Sequence, residues 1–186
     1  ISKVVDGNAY RTPFILAAGF DYNARLTQIL PALGLGGVEV GSVTARPCAG
    51  NSPPRLRRLP RSRSILVSKG LRYEGAQKIF TRLKIRFLAP GFVIGISIAR
   101  TNDNDSASVE AGIEDYCASL RQCVAHDVGD YYTLNISCPN AFGGETFTTP
   151  LLLKRLLEMV KKISCPKPIY VKMPINLDWF QFNELL

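Results

Sequence analysis

One short segment of the chain places an amide, a thiol and a second amide close together. It reads Asn135-Ile136-Ser137-Cys138-Pro139-Asn140. Each amide side chain offers donor and acceptor groups, which suits a planar ligand with alternating carbonyl and N–H edges. The thiol of Cys138 would serve as a nucleophile or as an acid–base group if its pKa is suitably tuned. The alternative interpretation is a turn-forming loop with a chance cysteine.

Apolar runs and helical patterns alternate along the sequence around this segment. Strands are predicted at 14–18, 37–41, 92–97, 131–136 and 168–172, and helices at 27–33, 75–83, 109–123, 150–163 and 179–186. Such alternation indicates a parallel sheet with crossover helices. A doubly wound sheet and a TIM barrel share this pattern. No G-x-G-x-x-G follows the first strand, which weakens the dinucleotide-binding alternative.

Polar side chains stand at the carboxyl ends of four predicted strands, where TIM barrels build their active sites. They are Ser42, Ser97, Asn135 and Lys172. A complete barrel repeats its unit eight times over roughly 250 residues, and about five units fit within these 186 residues. The predicted fold class is therefore α/β, a (β/α)8 TIM barrel in a single domain over residues 1–186 that is incomplete at its C-terminus.

Composition limits the class of protein but does not identify a ligand. Hydrophobic residues make up 46% and charged residues 20%, as in soluble globular proteins. The absence of a signal sequence or a long apolar run predicts a cytoplasmic location. The five cysteines form no CxxC pair, so reduced thiols are expected and no metal site is predicted. The net charge of +8 attracts anions in general.

The longest segment without a helical or strand pattern spans about 44–68 and is rich in proline and arginine. Its arginines include Arg55, Arg57, Arg58, Arg61 and Arg63. One interpretation is a solvated loop, and the other is an insertion over the barrel mouth that steers an anionic substrate. No aromatic residue alternates with the arginines, so stacking on nucleic-acid bases is not indicated.

Four motifs occur along the chain in a fixed order. They are Ala17-Ala18-Gly19-Phe20-Asp21, then 38–44 with 50–55 (VEVGSVT and GNSPPR), then 135–140 (NISCPN), and finally Val171-Lys172 with Pro174. Together they resemble the dihydroorotate dehydrogenase family, and the pattern is most similar to the quinone-linked class. The resemblance covers essentially the whole chain.

The resemblance implies a reaction and a cofactor. Members of the family oxidise dihydroorotate to orotate in pyrimidine biosynthesis with bound FMN. Cys138 falls on the position of the base that takes the C5 proton, while a hydride passes from C6 to N5 of FMN. Asn135 and Asn140 fall on positions that hold the pyrimidine ring.

The same resemblance implies a set of cofactor contacts. Lys172 falls on the lysine that faces the flavin, where a cation stabilises negative charge on the reduced ring. The other positions that match flavin contacts are Ala17, Ala18, Gly19, Ser42, Ser97 and Asn135. The family's flavin-phosphate loops lie on the last barrel strands, which are expected to follow Leu186.

Some positions depart from the family pattern. The quinone-linked branch usually has serine as base and a lysine where this sequence has Tyr22. The soluble branch usually has cysteine as base and a lysine where this sequence has Gly41. This chain has the cysteine and neither lysine, so Lys69 is the expected replacement cation for the substrate. The family's asparagine in that loop is replaced by Val67.

The electron acceptor and the assembly state stay open in the sequence. Quinone, fumarate and NAD are all used as acceptors in the family, and a quinone acceptor would imply association with a membrane. A homodimer is compatible with the resemblance, and no nucleic-acid partner is expected.

Two alternatives compete with this assignment. Dihydropyrimidine dehydrogenases share an N-[LI]-S-C-P motif, and dihydrouridine synthases also use a catalytic cysteine on a flavin barrel. A basic module that binds anions or nucleic acid would explain the net charge of +8. That module would leave the amide–thiol–amide segment and Lys172 without a role.

Overall fold

The computed structural model describes residues 2–84, 89–139, 144 and 146–186. In chain order the elements are β1 (Lys3–Val5), β2 (Asn8–Tyr10), β3 (Ile15–Leu16), β4 (Gly37–Val43), β5 (Leu56–Leu59), β6 (Ser64–Val67), α1 (Ala76–Lys84), β7 (Val93–Ile98), α2 (Val109–Ala125), β8 (Tyr131–Asn135), α3 (Pro150–Val160), β9 (Ile169–Lys172) and α4 (Trp179–Leu185). Within these ranges no helix is both long enough and apolar enough to cross a lipid bilayer.

Five parallel strands form the central sheet in the order β3-β4-β7-β8-β9. Sequential strands are therefore neighbours, as in the first part of a (β/α)8 barrel, and the predicted α/β class is confirmed. All six residues of β7 and all five of β8 are buried. Parallel strands that are covered on both faces are buried along their whole length in this way.

The core lies between this sheet and the helices that pack on its outer face. Helix α2 buries residues at helical spacing, among them Tyr116, Cys117 and Leu120. Helix α3 does the same with Leu153 and Leu156. Because all five strands run parallel, their carboxyl ends lie at the same edge of the sheet.

The helix predicted at 27–33 is replaced by a 3-10 helix over Leu30–Leu33, which ends at Gly34. A helix that began at Thr27 would place Pro31 in its interior, where the ring clashes with the preceding turn. Starting at Leu30 puts the proline in the first turn, where its missing N–H is not needed.

Two short antiparallel pairs were not predicted. At the start of the chain β1 and β2 form a hairpin at the amino end of the sheet, where Arg11 N donates to Gly91 O at 3.0 Å. The hairpin also contacts the last strand of the sheet, because the hydroxyl of Tyr170 donates to Asp6. That hydrogen bond raises the pKa of Tyr170 to about 12.

The second unpredicted pair is a ribbon of β5 and β6 inside the segment 44–68, which is therefore not irregular throughout. Leu56 pairs with Val67 and Arg58 with Ile65, so these four side chains share one face. The ribbon leaves its apolar residues exposed. Its arginines hid the strand pattern, since apolar and charged residues do not alternate strictly along it.

A buried carboxylate joins helix α2 to the loop that follows β7. Asp115 accepts hydrogen bonds from the backbone N–H of Thr101 at 2.7 Å and from its hydroxyl at 2.8 Å. Arg46 Nη1 lies 3.3 Å from the same carboxylate. This contact holds the loops after β4 and β7 against one helix.

We expect Asp115→Ala to lower the free energy of unfolding by about 3–5 kcal/mol, because it removes a buried carboxylate and leaves its partners unsatisfied. The neighbouring Glu114 forms an exposed ion pair with Arg121 and is the matched control. Glu114→Ala should cost about 0–1 kcal/mol. Urea unfolding of both variants checks the prediction, and equal losses would contradict it.

Candidate active site

The carboxyl edge of the sheet carries a continuous line of hydrogen bonds between strand ends. The hydroxyls of Ser42 on β4 and Ser97 on β7 lie 2.8 Å apart. Asn135 at the end of β8 donates from Nδ2 to Ser42 Oγ at 2.9 Å. All three side chains are buried. The hydrogen bond to Ser42, which itself contacts Ser97, therefore sets the orientation of the Asn135 amide.

The same line continues into the loop that carries the thiol. Asn135 Oδ1 accepts from the backbone N–H of Ser137 at 3.3 Å and from its hydroxyl at 3.1 Å. Lys172 Nζ, at the end of β9, donates to Ser137 Oγ at 2.9 Å. Ser137 thus ties Asn135 to Lys172 and shapes the turn that presents Cys138. No role was predicted for Ser137, although it lies inside the amide–thiol motif.

A cavity of about 470 Å³ opens above this line. The residues around it that were predicted for the site are Ala18, Gly19, Ser42, Lys69, Asn135, Cys138 and Lys172. Ala17 does not line it, and Ser97 lies behind Ser42. Asn140 lies outside the described residues. Most of the predicted positions therefore surround one space, although they come from five separate parts of the chain.

Lys69 reaches the cavity from the loop after β6. Its ammonium donates to Gly19 O at 3.3 Å and lies 4.9 Å from the centroid of the Tyr22 ring. An ammonium at that distance from an aromatic face is attracted by the ring. The charge of Lys69 is therefore held close to the segment that follows β3, next to the side chain of Tyr22.

The loop that carries Lys69 is fixed by two asparagines. Asn51 N donates to Lys69 O at 3.1 Å, and Asn102 Nδ2 donates to Gly70 O at 3.0 Å. A further hydrogen bond of 3.0 Å joins Asn102 Nδ2 to Asn51 Oδ1. The position of Lys69 thus depends on the loops after β4 and β7.

Positive charge dominates the polar part of the cavity. Lys69, Arg72 and Lys172 line it, and no carboxylate does so among the residues that the structure describes. A site walled by charges of one sign attracts ligands of the other sign. Arg72 was missed by the sequence analysis. Its place in the Lys69 loop is the feature by which it could have been found.

The outer wall of the cavity is apolar. It is formed by Phe20 and by Leu56, Ile65 and Val67 of the ribbon. These side chains are largely exposed, with 68% of Phe20 and 62% of Ile65 accessible. The cavity therefore joins a polar, cationic floor to an apolar entrance.

Gly41 is a position that admits no side chain. Its φ is +118°, and a Cβ built there would lie 2.6 Å from the carbonyl oxygen of Ser97. Gly41 O also accepts a hydrogen bond of 2.9 Å from Gly19 N. This bond joins the segment after β3 to β4. A lysine at this position is therefore excluded by the backbone.

Comparison with known proteins assigns the family. The sequence model described as dihydroorotate dehydrogenase matches residues 1–186. The chain belongs to the dihydroorotate dehydrogenase family. The resemblance noted in the sequence is thus confirmed over the whole chain.

Two curated relatives carry the name dihydroorotate dehydrogenase (quinone). One, from Synechococcus sp., is 34% identical over 181 residues, which are 97% of this chain and 46% of the relative. The other, from Nitratiruptor sp., is 34% identical over 178 residues, or 96% of this chain and 49% of the relative. The chain spans about half the length of these family members.

Solved structures of the family share the fold. Two crystal structures of DHODH from Eimeria tenella, one in complex with ferulenol and one ligand-free, superpose with TM-scores of 0.84 and 0.82. Their sequence identities are 24% and 23%, they cover 99% of this chain, and the chain covers 55% and 57% of theirs. The predicted barrel fold is confirmed by this similarity.

We expect Gly41→Ala to destabilise the protein by about 3 kcal/mol or more, because the substitution combines a positive φ with a clash against the β7 backbone. Gly7 is the matched control, since its φ is +81° and a Cβ there meets nothing within 4 Å. Gly7→Ala should cost only about 1–2 kcal/mol. Thermal and urea unfolding measure both, and a smaller effect at Gly41 would contradict the packing argument.

Proposed function

We propose that the full-length protein oxidises dihydroorotate to orotate with FMN as cofactor, and that Cys138 is the base. The observation that carries the proposal is one cavity that combines Cys138, the hydrogen-bonded amide of Asn135 and the ammonium of Lys172. The family assignment supports the same activity. The dihydropyrimidine and dihydrouridine enzymes are less favoured, since the curated relatives named above are dihydroorotate dehydrogenases.

The residues present fit a flavin. Volumes of about 300–1,000 Å³ are usual for sites that hold molecules of this size, and this cavity measures about 470 Å³. Ala18 and Gly19 form one wall of the cavity, where their backbone would contact the flavin. Ala17 precedes them in the chain and would hold this segment in place. Ser42 and Asn135 would hydrogen-bond the cofactor from below, Ser97 would orient Ser42, and Lys172 would place a cation beside it. Bound FMN would supply a two-electron acceptor for the hydride that leaves C6.

The proton of dihydroorotate is assigned to the thiol. Cys138 must be a thiolate to accept the C5 proton, since only the anion is basic enough. The cations that line the cavity favour that charged form. Asn135, together with Asn140 from outside the described residues, would hold the polar edges of the pyrimidine ring.

The carboxylate of the substrate is assigned to Lys69. Quinone-linked members of the family usually carry a lysine where this chain has Tyr22, and the ammonium of Lys69 lies over that tyrosine ring. The charge would thus reach nearly the same place from a different loop. Arg72 lines the same cavity and would add to the attraction of the anion.

The apolar entrance favours a quinone as electron acceptor. Phe20, Leu56 and Ile65 line the cavity and remain accessible to a bulky apolar molecule. The curated relatives named for a quinone support the same choice. Association of the full-length protein with a membrane would then deliver the acceptor.

Anaerobic addition of dihydroorotate should bleach the oxidised flavin band of the full-length protein. We expect Cys138→Ala to slow this reduction by about 100- to 10,000-fold, the usual contribution of a general base, while FMN stays bound. At raised pH, Cys138→Ser should retain more activity than Cys138→Ala. Cys165, which does not line the cavity, is the control, and Cys165→Ala should reduce flavin at the wild-type rate.

The same sample then identifies the acceptor. Reoxidation by a short-chain ubiquinone analogue, but not by fumarate or NAD, is the expected outcome. Flavin that dihydroorotate fails to reduce would redirect the assignment to another pyrimidine, and full-length protein without flavin would leave a basic anion-binding module.

The charge of Lys69 is tested by moving it. We expect Lys69→Met to raise KM for dihydroorotate by about 10- to 100-fold, the loss of one charge-assisted hydrogen bond. Adding Tyr22→Lys to that variant should restore most of the affinity. Arg57, on the outer face of the ribbon, is the control for net charge. If Arg57→Met raised KM as much, general electrostatics would replace the specific contact.

A further inference from the structure

A buried arginine lines the same small cavity as the proposed base. Arg100 follows β7 at the carboxyl edge of the sheet, and only 3% of it is exposed. Arginine is almost never buried to this extent unless its charge has a defined role or partner. The reaction as proposed above makes no use of this cation.

Arg100 shares a small second cavity with Cys138. Tyr116, Asn135 and Thr146 also line it. Cys138 and Asn135 line this cavity and the main one, so the thiol stands between the substrate space and the arginine. The hydroxyl of Tyr116 donates to Asn135 O at 2.8 Å and accepts from the backbone N–H of Arg100. The ends of β7 and β8 are therefore linked at this point.

The side chain of Arg100 is held in place by its surroundings. Its Nη1 donates to Thr146 Oγ1 at 3.1 Å, in the segment that follows the thiol loop. A Cβ on Gly112 of α2 would lie 2.9 Å from Arg100 Cδ and 3.2 Å from the Phe147 ring. The arginine stem is thus packed against the helix and cannot easily move its charge away from the thiol loop.

The charged and titratable groups around Cys138 come from four parts of the fold that the structure describes. Lys69 and Arg72 belong to the loop after β6, Lys172 to β9, and Arg100 to the loop after β7. From α2 comes Tyr116, whose pKa burial raises well above its ordinary value, so it stays neutral. The next residue, Asp115, is bound to Thr101 and Arg46. Neither cavity has a carboxylate among the lining residues that the structure describes.

These cations differ in burial, and therefore in how far water and salt screen their charge. Lys172 and Arg72 are exposed and Lys69 is half-buried, so water and salt weaken their fields. Arg100 is buried, where the same charge acts through a medium of lower effective dielectric constant. Its field at Cys138 is therefore the least screened.

We propose that Arg100 is a positioning residue that holds Cys138 in its thiolate form and so sets the pH range in which the base works. The inference rests on the proposed function only in assigning the thiolate a catalytic use. The effect of the Arg100 charge on the ionisation of Cys138 can be measured without substrate.

Three substitutions in the full-length protein separate charge from packing. Arg100→Lys keeps the charge, Arg100→Gln keeps a donor for Thr146 without the charge, and Arg100→Met keeps neither. The rate of alkylation of Cys138 by iodoacetamide is followed against pH by peptide mass spectrometry. Cys165 in the same sample is the internal reference for the reagent and for the fold.

Loss of the positive charge should move the midpoint of the Cys138 alkylation profile upward by about one pH unit, because a nearby cation favours the thiolate. Alkylation at neutral pH should then be about tenfold slower in Arg100→Gln and Arg100→Met. Arg100→Lys should stay near wild type. The low-pH limb of kcat/KM for flavin reduction should move in the same direction.

An unchanged midpoint in Arg100→Gln would overturn the inference, as would equal shifts in Arg100→Lys and Arg100→Gln. If Arg100→Met does not fold, Thr146→Val is measured as the packing control. Thr146→Val removes the hydroxyl contact and keeps the charge of Arg100, so the midpoint of the alkylation profile should stay in place. Flavin reduction that persists in Cys138→Ala would remove the base assignment alone, since the alkylation profile is measured without dihydroorotate.

Discussion

The register of the parallel sheet is the constraint on which the proposed site depends. Asn135 on β8 pairs directly with Lys172 on β9, and the register between β4 and β7 shifts just where Ser42 meets Ser97. A slip of one residue would turn these side chains to the opposite face. The hydrogen bonds from Ser97 to Lys172, and with them the turn that presents Cys138, exist only because neighbouring strands end in this alignment.

Loops supply what the strand ends do not. The strand ends provide hydrogen-bonding side chains and the ammonium of Lys172, whereas the further positive charge comes from Lys69 and Arg72 on a loop fixed by Asn51 and Asn102. The β5–β6 ribbon adds an apolar entrance. In the proposed function, the loops would select the anion and the electron acceptor while the backbone of the sheet stays constant.

The contact of Lys69 with Tyr22 shows how a loop brings a positive charge to the carboxyl edge of the sheet. The backbone at Gly41 excludes a lysine there, because a side chain would meet the carbonyl of Ser97. Tyr22 offers an aromatic face in place of a lysine, and Lys69 crosses to it. The required position of the cation, rather than the residue that provides it, is what the anionic substrate would demand. The role proposed for Arg100 extends this reasoning to the proposed base, since Arg100 and Cys138 line one small cavity.

The sequence by itself determined the α/β class, the family and most strand and helix positions, because apolar period and motif order are local properties. It also marked Ser42, Ser97, Asn135 and Lys172, since parallel strands of one sheet must end at one edge, and it marked Cys138 by the amide–thiol motif. It misplaced the helix at 27–33, because Pro31 cannot lie in a helix interior. It also missed the β1–β2 hairpin, and it missed the β5–β6 ribbon because arginines interrupt its apolar pattern. Only the tertiary structure brought Lys69 to Tyr22 and Arg100 to Cys138, because these contacts join residues far apart along the chain that no local periodicity relates.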